Sequence, residues 1–236
     1  MLSEAVLDKL QSPDGFRYER KAVIYGMSMH EIESIVKLHP TIFTERHLPR
    51  YINNIYFDTF NMSNYFDNVD GLSRRLKVRI RWYNDLFGFI ENPILEFKTK
   101  RGLVGGKICF PLNSFCLDEK YSLEKQQKIF KESGIPEILV EYLKSLRFTL
   151  LNRYYRKYFE SPDHRFRITI DSGMEYYRLE SSNNSFNEKK VDYQSCILEL
   201  KYSKENEDFS ESLFNYFTFR LTKCSKYASG IEKLYS

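Results

Sequence analysis

The sequence lacks most features that mark membrane, secreted or multidomain proteins. No apolar run approaches the roughly 18 consecutive residues that a membrane span requires, so any membrane association would come through a membrane-protein partner. The chain of 236 residues has 10 glycines and 7 prolines but no stretch rich in them, which predicts a single domain over residues 1–236. The four cysteines form no CxxC pair, and the N-terminus lacks the basic-then-apolar layout of a signal peptide. We therefore expect a cytoplasmic protein with no direct membrane span.

Two further observations limit the kinds of functional site that the sequence predicts. The four histidines lack the HxxxH or HxH spacing with which one element holds zinc. The formal net charge is only +4, from 36 Lys and Arg against 32 Asp and Glu, and a sum this small does not name a polyanionic partner. What is abundant is aromatic: 18 Tyr and 19 Phe favour a β-rich core.

Hydrophobic periodicity predicts about eight strands and four main helices, after a short amphipathic start at 2–10. The predicted strands are 16–25, 51–58, 75–83, 94–100, 107–112, 153–159, 165–171 and 195–202. The predicted helices are 28–38, 122–133, 136–146 and 209–219. Ser28 and Glu31 have the spacing of a capping box at the start of the first helix. Residues 67–71 read as a turn, and 180–190 as an exposed hairpin loop.

Charged residues recur two apart on six of these strands, so each set shares one face. The basic members are Arg17, Lys21, Lys77, Arg79, Arg81, Lys98, Lys100, Arg156, Arg165, Arg167 and Lys201, and the acidic members are Glu19, Glu96, Asp171 and Glu199. Solvated outer faces of an ordinary antiparallel sheet would also be charged, but they would mix the two signs. If helices cover the apolar faces, the charged faces must point into a closed sheet. The expected fold is therefore α+β, a closed antiparallel β-barrel with helices packed outside.

A lumen lined by so many cations would repel itself unless a dense anion occupied it. Arg binds phosphate oxygens in pairs and Lys supplies a compact charge, so this lining suits a chain of phosphates. The interspersed glutamates suit a divalent cation, which prefers carboxylate oxygen. Glu199 is the first candidate ligand, followed by Glu19 and Glu96, although each could instead pair with a neighbouring lysine.

At this point the sequence resembles the VTC domain, the polyphosphate polymerase module within the triphosphate tunnel metalloenzymes, over nearly the whole chain. The residues that carry the resemblance are Tyr18-Glu19-Arg20-Lys21, Arg79-Ile80-Arg81-Trp82-Tyr83, Leu95-Glu96-Phe97-Lys98-Thr99-Lys100, Tyr154-Tyr155-Arg156 with Arg167-Ile168-Thr169-Ile170-Asp171, Leu198-Glu199-Leu200-Lys201, and Lys223-Cys224-Ser225-Lys226-Tyr227. Each motif is weak by itself, and their shared order is specific.

The resemblance implies a tunnel in which the terminal phosphate of ATP is transferred to a growing polyphosphate chain, with Mn²⁺ or Mg²⁺ held by Glu199. Arg79, Arg81, Lys98 and Lys226 are the residues expected to take part in catalysis. The residues expected to bind substrate are Lys21, Lys107, Tyr154, Arg156, Arg167, Lys201, Lys223 and Ser225. Arg17 stands where the superfamily's hydrolases and cyclases have the first Glu of Glu-x-Glu-x-Lys, and this departure favours a polymerase.

Other functions stay open at this point. A triphosphatase needs only water in place of the acceptor phosphate, and a non-catalytic polyphosphate-binding subunit would keep the basic lining. A nucleic-acid-binding barrel is disfavoured because most aromatic residues fall on the faces opposite the cations. Gly102 to Lys107 fails the P-loop signature, since Arg101 and Ile108 occupy required positions. The stretch from Ser225 to Gly230 could close one tunnel mouth or be an ordinary connection.

Overall fold

A computed structural model describes residues 17–102, 104–182 and 184–235, so the predicted amphipathic start at 2–10 lies outside the described residues. The strands, in chain order, are β1 (Arg17–Tyr25), β2 (Thr44–Thr59), β3 (Arg74–Tyr83), β4 (Gly88–Ile90), β5 (Ile94–Arg101), β6 (Val104–Pro111), β7 (Phe115–Leu117), β8 (Leu146–Glu160), β9 (Phe166–Tyr177), β10 (Lys189–Asp192) and β11 (Ser195–Ser203). The α-helices are α1 (Met29–Lys37), α2 (Ser63–Val69), α3 (Leu123–Glu132), α4 (Glu137–Lys144), α5 (Glu207–Asn215) and α6 (Lys226–Tyr235).

Eight of the strands form a closed antiparallel ring. The order around it is β9-β11-β1-β6-β5-β3-β2-β8, and β8 pairs back onto β9. The short strand β10 pairs with the last residues of β9, which β11 does not reach. Closure removes the unpaired edges that an open sheet would expose. The α+β fold and the closed antiparallel arrangement predicted from the sequence are confirmed.

The weakest point of the ring lies between β1 and β6. Among the described residues, these strands pair only at Arg17 and Gly105. Farther along β1, the backbone N–H of Thr222 donates to the carbonyl of Lys21 at 2.8 Å, and the N–H of Val23 donates to Thr222 Oγ1 at 3.0 Å. The segment before α6 therefore takes over the edge of β1 where β6 no longer reaches it.

Two apolar clusters lie outside the ring, between its strands and the helices. In one, Val78 and Ile80 of β3 pack with residues such as Phe130 of α3 and Leu143 of α4. In the other, residues of β1, β9 and β11 pack against α1 and α5. Helices cover these apolar faces because they supply the apolar stripes that the strands need in order to be buried. The alternating charged faces are thereby turned inward.

A third apolar cluster lies inside the ring and belongs to α6. Tyr227 and Ile231 of this helix pack against inner-face residues that include Ile52 of β2, Leu150 of β8 and Ile197 of β11. From the sequence alone, residues 225–230 could either close one mouth of the tunnel or form an ordinary connection. The structure shows a helix that fills one end of the ring from within.

Several predicted boundaries were wrong. β2 and β8 run to 16 and 15 residues, well beyond the predicted spans, because their extra residues pair with each other. The predicted turn at 67–71 overlaps α2, and α5 ends at Asn215 rather than 219. The loop at 180–190 is not fully exposed, since Asn184 is buried and bonded to Tyr121. The Ser28–Glu31 capping box is confirmed.

None of the helices in the described ranges has the length and apolarity that crossing a bilayer requires.

Candidate active site

The inner face of the ring carries most of the residues that the sequence singled out. On β3, Lys77, Arg79 and Arg81 are half-buried and alternate with fully buried residues such as Val78 and Ile80. This alternation is the expected result of a strand with one face on the helices and the other on the lumen. Arg165 is the exception, because it precedes β9 and forms an ion pair with Asp163 at 2.6 Å. The inward charged faces come together in three clusters.

The first cluster joins β1, β5 and β11 around two carboxylates. Lys21 Nζ lies 3.3 Å from Glu19 Oε2 and 3.0 Å from Glu199 Oε1. Lys98 Nζ donates to Glu19 Oε1 at 2.7 Å, and Lys201 Nζ lies 2.8 Å from Glu199 Oε2. Three lysines therefore surround two glutamates, which leaves a net positive cluster.

The pKa values in this cluster follow from burial and from these lysines. Burial and the nearby Glu199 raise the pKa of Glu19, but Lys98, Lys21 and Lys201 outweigh both and lower it to about 2. Burial lowers the pKa of Lys98 to about 8, although Glu19 raises it in part. Burial also lowers the pKa of Lys21, yet Glu199 and Glu19 raise it more, so the net shift is upward. Burial raises the pKa of Glu199, but Lys201, Lys21 and Lys98 hold it well below its usual value, so both carboxylates are ionised at neutral pH, as ligands for a cation must be.

The second cluster is built on Glu96 of β5, which is only 3% exposed. Arg79 Nε donates to Glu96 Oε2 at 2.7 Å, and Arg81 Nη1 and Lys107 Nζ each lie 3.6 Å from Glu96 Oε1. Burial raises the pKa of Glu96, but Arg79, Arg81 and Lys107 lower it further, so it stays ionised. Glu96 thus orients two guanidinium groups toward the lumen.

The third cluster joins β8, β9 and α6 at Asp171, which is fully buried. Arg156 makes a two-point contact with this carboxylate, at 2.5 Å from Nε and 2.7 Å from Nη2. Lys226 Nζ lies 2.6 Å from Asp171 Oδ2 and 4.7 Å from the centre of the Tyr154 ring. The buried carboxylate therefore positions two cations and links the start of α6 to the ring.

The remaining predicted residues lie nearer the ends of the lumen. Ser225 precedes α6, and its Oγ accepts a hydrogen bond from Lys77 Nζ at 2.7 Å. Lys223 is exposed in the segment before α6. Arg167 Nε donates at 2.8 Å to Glu160, which Arg46 also contacts. Arg167 thus lies opposite Lys201 of the first cluster in the strand register, but its guanidinium group is paired with a different carboxylate, Glu160.

Sequence reasoning missed several residues that hold this site together. Lys77 and Asp171 were placed on charged faces but were given no role in the site. Asn54 was not noticed at all: its Oδ1 accepts from Arg81 Nε at 3.0 Å, and its Nδ2 donates to Asn152 Oδ1 at 2.9 Å. The signal that could have identified Asn54 is a polar residue at a strand position expected to be fully buried, because a buried polar group requires a hydrogen-bond partner.

The donor set fits a divalent cation at one of the clusters. Glu19 and Glu199 both form an ion pair with Lys21 and supply the hard carboxylate oxygens that Mg²⁺ or Mn²⁺ prefers. Phosphate oxygens of a substrate would complete such a shell. Glu96 is instead a single carboxylate among the three cations Arg79, Arg81 and Lys107, so it offers a metal ion less negative charge than the two carboxylates of the first cluster. No group of three or more His, Cys, Asp or Glu in the described residues is arranged to hold a metal without such help.

Comparison with solved structures shows similarity in fold to proteins of very different sequence. The PH1819 protein from Pyrococcus horikoshii OT3 is 13% identical and has a TM-score of 0.50, over 92% of this chain and 99% of that chain. A putative adenylate cyclase from Bacillus halodurans is 14% identical with a TM-score of 0.49, over 93% and 97% of the two chains. A Mimivirus capping enzyme triphosphatase is 12% identical with a TM-score of 0.38, over 85% and 89%. At these identities the similarity concerns the fold alone.

The comparison with curated proteins gave no match. The family model of the VTC domain, however, matches residues 16–235, which span all three charged clusters and the whole ring. The resemblance inferred from short motifs is therefore confirmed over nearly the full chain. This protein belongs to the VTC domain family.

Proposed function

We propose that this chain is a polyphosphate polymerase that transfers the terminal phosphate of ATP to a growing polyphosphate chain. The observation that carries the proposal is the convergence of cations inside a closed ring. Arg79 and Arg81 come from β3, Arg156 from β8 and Lys226 from α6, and buried carboxylates or amides orient them. Fixed donors of this kind stabilise the negative charge on phosphate oxygens without reorganising during the reaction.

The reaction requires positioning rather than a covalent intermediate. A terminal oxygen of the acceptor chain attacks the γ-phosphorus of ATP, the bond from that phosphorus to the β,γ-bridging oxygen breaks, and ADP leaves. Because the acceptor oxygen is already ionised, no general base is needed. The cations hold donor and acceptor phosphates in line, which lowers the entropic cost of their encounter. A divalent cation at Glu19 and Glu199 would neutralise further phosphate charge.

The cellular setting is part of the proposal. All four cysteines are free, which supports a reducing compartment such as the cytoplasm. Polyphosphate and ATP are the proposed partners, and a membrane protein that receives the product is compatible with this arrangement.

The test is incubation of the purified chain with ATP and Mn²⁺, followed by phosphorus NMR and by gel analysis of long-chain polyphosphate. We expect long chains from the wild type and a loss of roughly a hundredfold or more in Lys226→Ala and Glu199→Gln, since each removes a charge that contacts the reacting phosphates or their metal. Matched controls are Lys233→Ala, at an exposed position of α6, and Glu188→Gln, also an exposed residue.

Each outcome decides between the functions left open by the sequence. Long chains that disappear only in the two site variants support the polymerase. Orthophosphate without chains identifies a triphosphatase. Tight binding of polyphosphate without turnover identifies a binding subunit, and unchanged synthesis in both site variants contradicts the placement of the site.

A further inference from the structure

Three lysines form a row across neighbouring strands of the inner face. Lys77 on β3 lies opposite Lys98 on β5, and Lys98 lies opposite Lys107 on β6. Two of them have carboxylate partners: Lys98 contacts Glu19 at 2.7 Å and Lys107 lies 3.6 Å from Glu96. Lys77 has no such partner among the described residues, and its hydrogen bond goes to the neutral hydroxyl of Ser225. A nearby carboxylate therefore balances the positive charge of two of the three lysines.

The charges that face Lys77 from the surrounding elements are positive. Arg75 and Arg79 flank it on β3, Lys98 faces it from β5 and Lys21 from β1. The aspartate at the end of β2, Asp58, is already bound by the Tyr227 hydroxyl at 2.6 Å and by three backbone N–H groups. A half-buried cation in such surroundings lacks the counter-charge that buried ions normally have.

We infer that Lys77 binds a phosphate of the substrate chain at the α6 end of the lumen and takes up a proton from solvent when that phosphate arrives. The inference rests on the proposed function and extends it to a residue outside the expected site. Geometry supports it because Lys77 already points at Ser225, the residue before α6, whose Oγ also accepts from the N–H of Ala228 at 3.3 Å. A phosphate oxygen beside this pair would supply the missing negative charge.

The expected ionisation supports the same picture. Burial, followed by Lys21, Lys98, Arg75 and Arg79, holds the pKa of Lys77 well below its usual value of 10.5. A bound phosphate reverses these effects and raises the pKa, because an opposite charge at contact favours the protonated amine. Binding and protonation are therefore linked, and affinity must fall as pH rises and the free amine becomes neutral.

The experiment measures binding of tripolyphosphate, with EDTA present so that no metal contributes. Titration calorimetry of the wild type, Lys77→Met and Lys77→Arg between pH 7 and 9, in buffers of different ionisation enthalpy, gives the affinity and the number of protons taken up. The exposed Lys190→Met on β10 is the matched control. Thermal unfolding of each variant verifies that it is folded.

At pH 7 we expect Lys77→Met to bind roughly tenfold more weakly or worse, as for a lost charge-assisted hydrogen bond, and to take up fewer protons than the wild type. Lys77→Arg stays charged at every pH in this range, so it should keep most of the affinity, take up fewer protons than the wild type and lose part of the pH dependence. Burial lowers the pKa of Lys98 to about 8, so Lys98 titrates in the same range in every variant and only the difference from the wild type reports on Lys77. A residue that only tethers Ser225 would not change the proton count.

Three results overturn the inference in distinguishable ways. Equal affinity in Lys77→Met and the wild type shows that Lys77 binds no phosphate, while the proposed function survives. Weaker binding by Lys77→Met with unchanged proton uptake shows that phosphate binding is not linked to protonation of Lys77. A wild type that does not bind tripolyphosphate contradicts both the inference and the proposed function.

Discussion

At the scale of single residues, the site depends on buried carboxylates that hold cations in place. Asp171 is the clearest case, since it is fully buried and contacts both Arg156 and Lys226. Removing one member of such a buried group leaves the others without compensation, which costs more than the group itself contributes. The carboxylates are therefore required for stability in addition to any role with substrate.

Asp171→Asn should lower the free energy of unfolding at pH 7 by about 3 kcal/mol, as for a broken buried ion pair. The substitution should also make the free energy of unfolding fall less steeply as the pH is lowered. Burial raises the pKa of Asp171, but Arg156 and Lys226 lower it to about 2, against 3.8 for an ordinary aspartate. Because the folded-state pKa is depressed, the stabilisation is present above about pH 4 and is lost as pH falls toward 2.

Urea unfolding between pH 7 and 2.5 measures both effects. Asp208→Asn is the matched control, since Asp208 is exposed on α5. Equal stability of Asp171→Asn and the wild type at pH 7 would contradict the assigned role. So would a fall in the free energy of unfolding at low pH as steep as that of the wild type.

At the scale of elements, α6 is distinctive because it enters the ring instead of covering it. Its close approach requires a glycine at position 230, where a Cβ atom would lie 2.6 Å from Leu150 Cδ2 and 2.6 Å from Tyr176 Cδ1. The Tyr227 hydroxyl, which donates to Asp58, fastens the same helix to the end of β2. Lys226 and Ser225 are therefore positioned by packing farther along α6.

Gly230→Ala should push α6 away from the strands and cost about 1–3 kcal/mol of stability, as overpacked cores do. Polyphosphate synthesis should fall as well, because Lys226 moves with the helix. Glu232→Ala, an exposed change two residues on, is the control. Denaturant unfolding together with the synthesis assay measures the two effects, and full activity with unchanged stability would show that α6 adapts without cost.

The sequence predicted the elements unevenly, and the reason is physical. The strand at β3 was predicted almost to the residue because strict alternation of Arg or Lys with Leu, Val and Ile marks it. The long strands β2 and β8 were underestimated, since their outer halves are stabilised by pairing with each other rather than by their own pattern. The sequence of α6 has a helical pattern of apolar residues, but no helix was predicted there. The segment contains a glycine, and its first residues belong to the motif that was assigned to the site.

At the scale of the whole molecule, the ring encloses more positive than negative charge. The carboxylates of the three clusters compensate only part of the lysines and arginines that face them, and Lys77 has no acidic partner within the described ranges. A ligand that binds only the folded state stabilises it by mass action. A phosphate chain should therefore stabilise the entire ring.

Tripolyphosphate at about 100 times its dissociation constant should raise the free energy of unfolding by about 2.7 kcal/mol. The effect should shrink as salt is added, because screening weakens charge–charge attraction at the open parts of the lumen. Thermal unfolding with increasing tripolyphosphate measures it, with sodium chloride at equal ionic strength as the control. An unfolding temperature that tripolyphosphate does not change would contradict a phosphate-binding lumen.

The sequence by itself determined the β-rich class, the two-residue alternation of charge on six strands and the motifs that identify the family. These are local properties, because alternation along a strand sets which residues share a face. The assignment of residues 1–236 to one domain stays a prediction.

Only the tertiary structure decided which cations share a carboxylate, because those partners are far apart in the chain. Lys98 and Glu19 are 79 residues apart, and Lys226 reaches Asp171 only because α6 folds back into the ring. The tertiary structure also left Lys77 without a counter-charge among the described residues. Strand order and ring closure arise from pairing between distant segments, and no local pattern encodes the partner of a given charge.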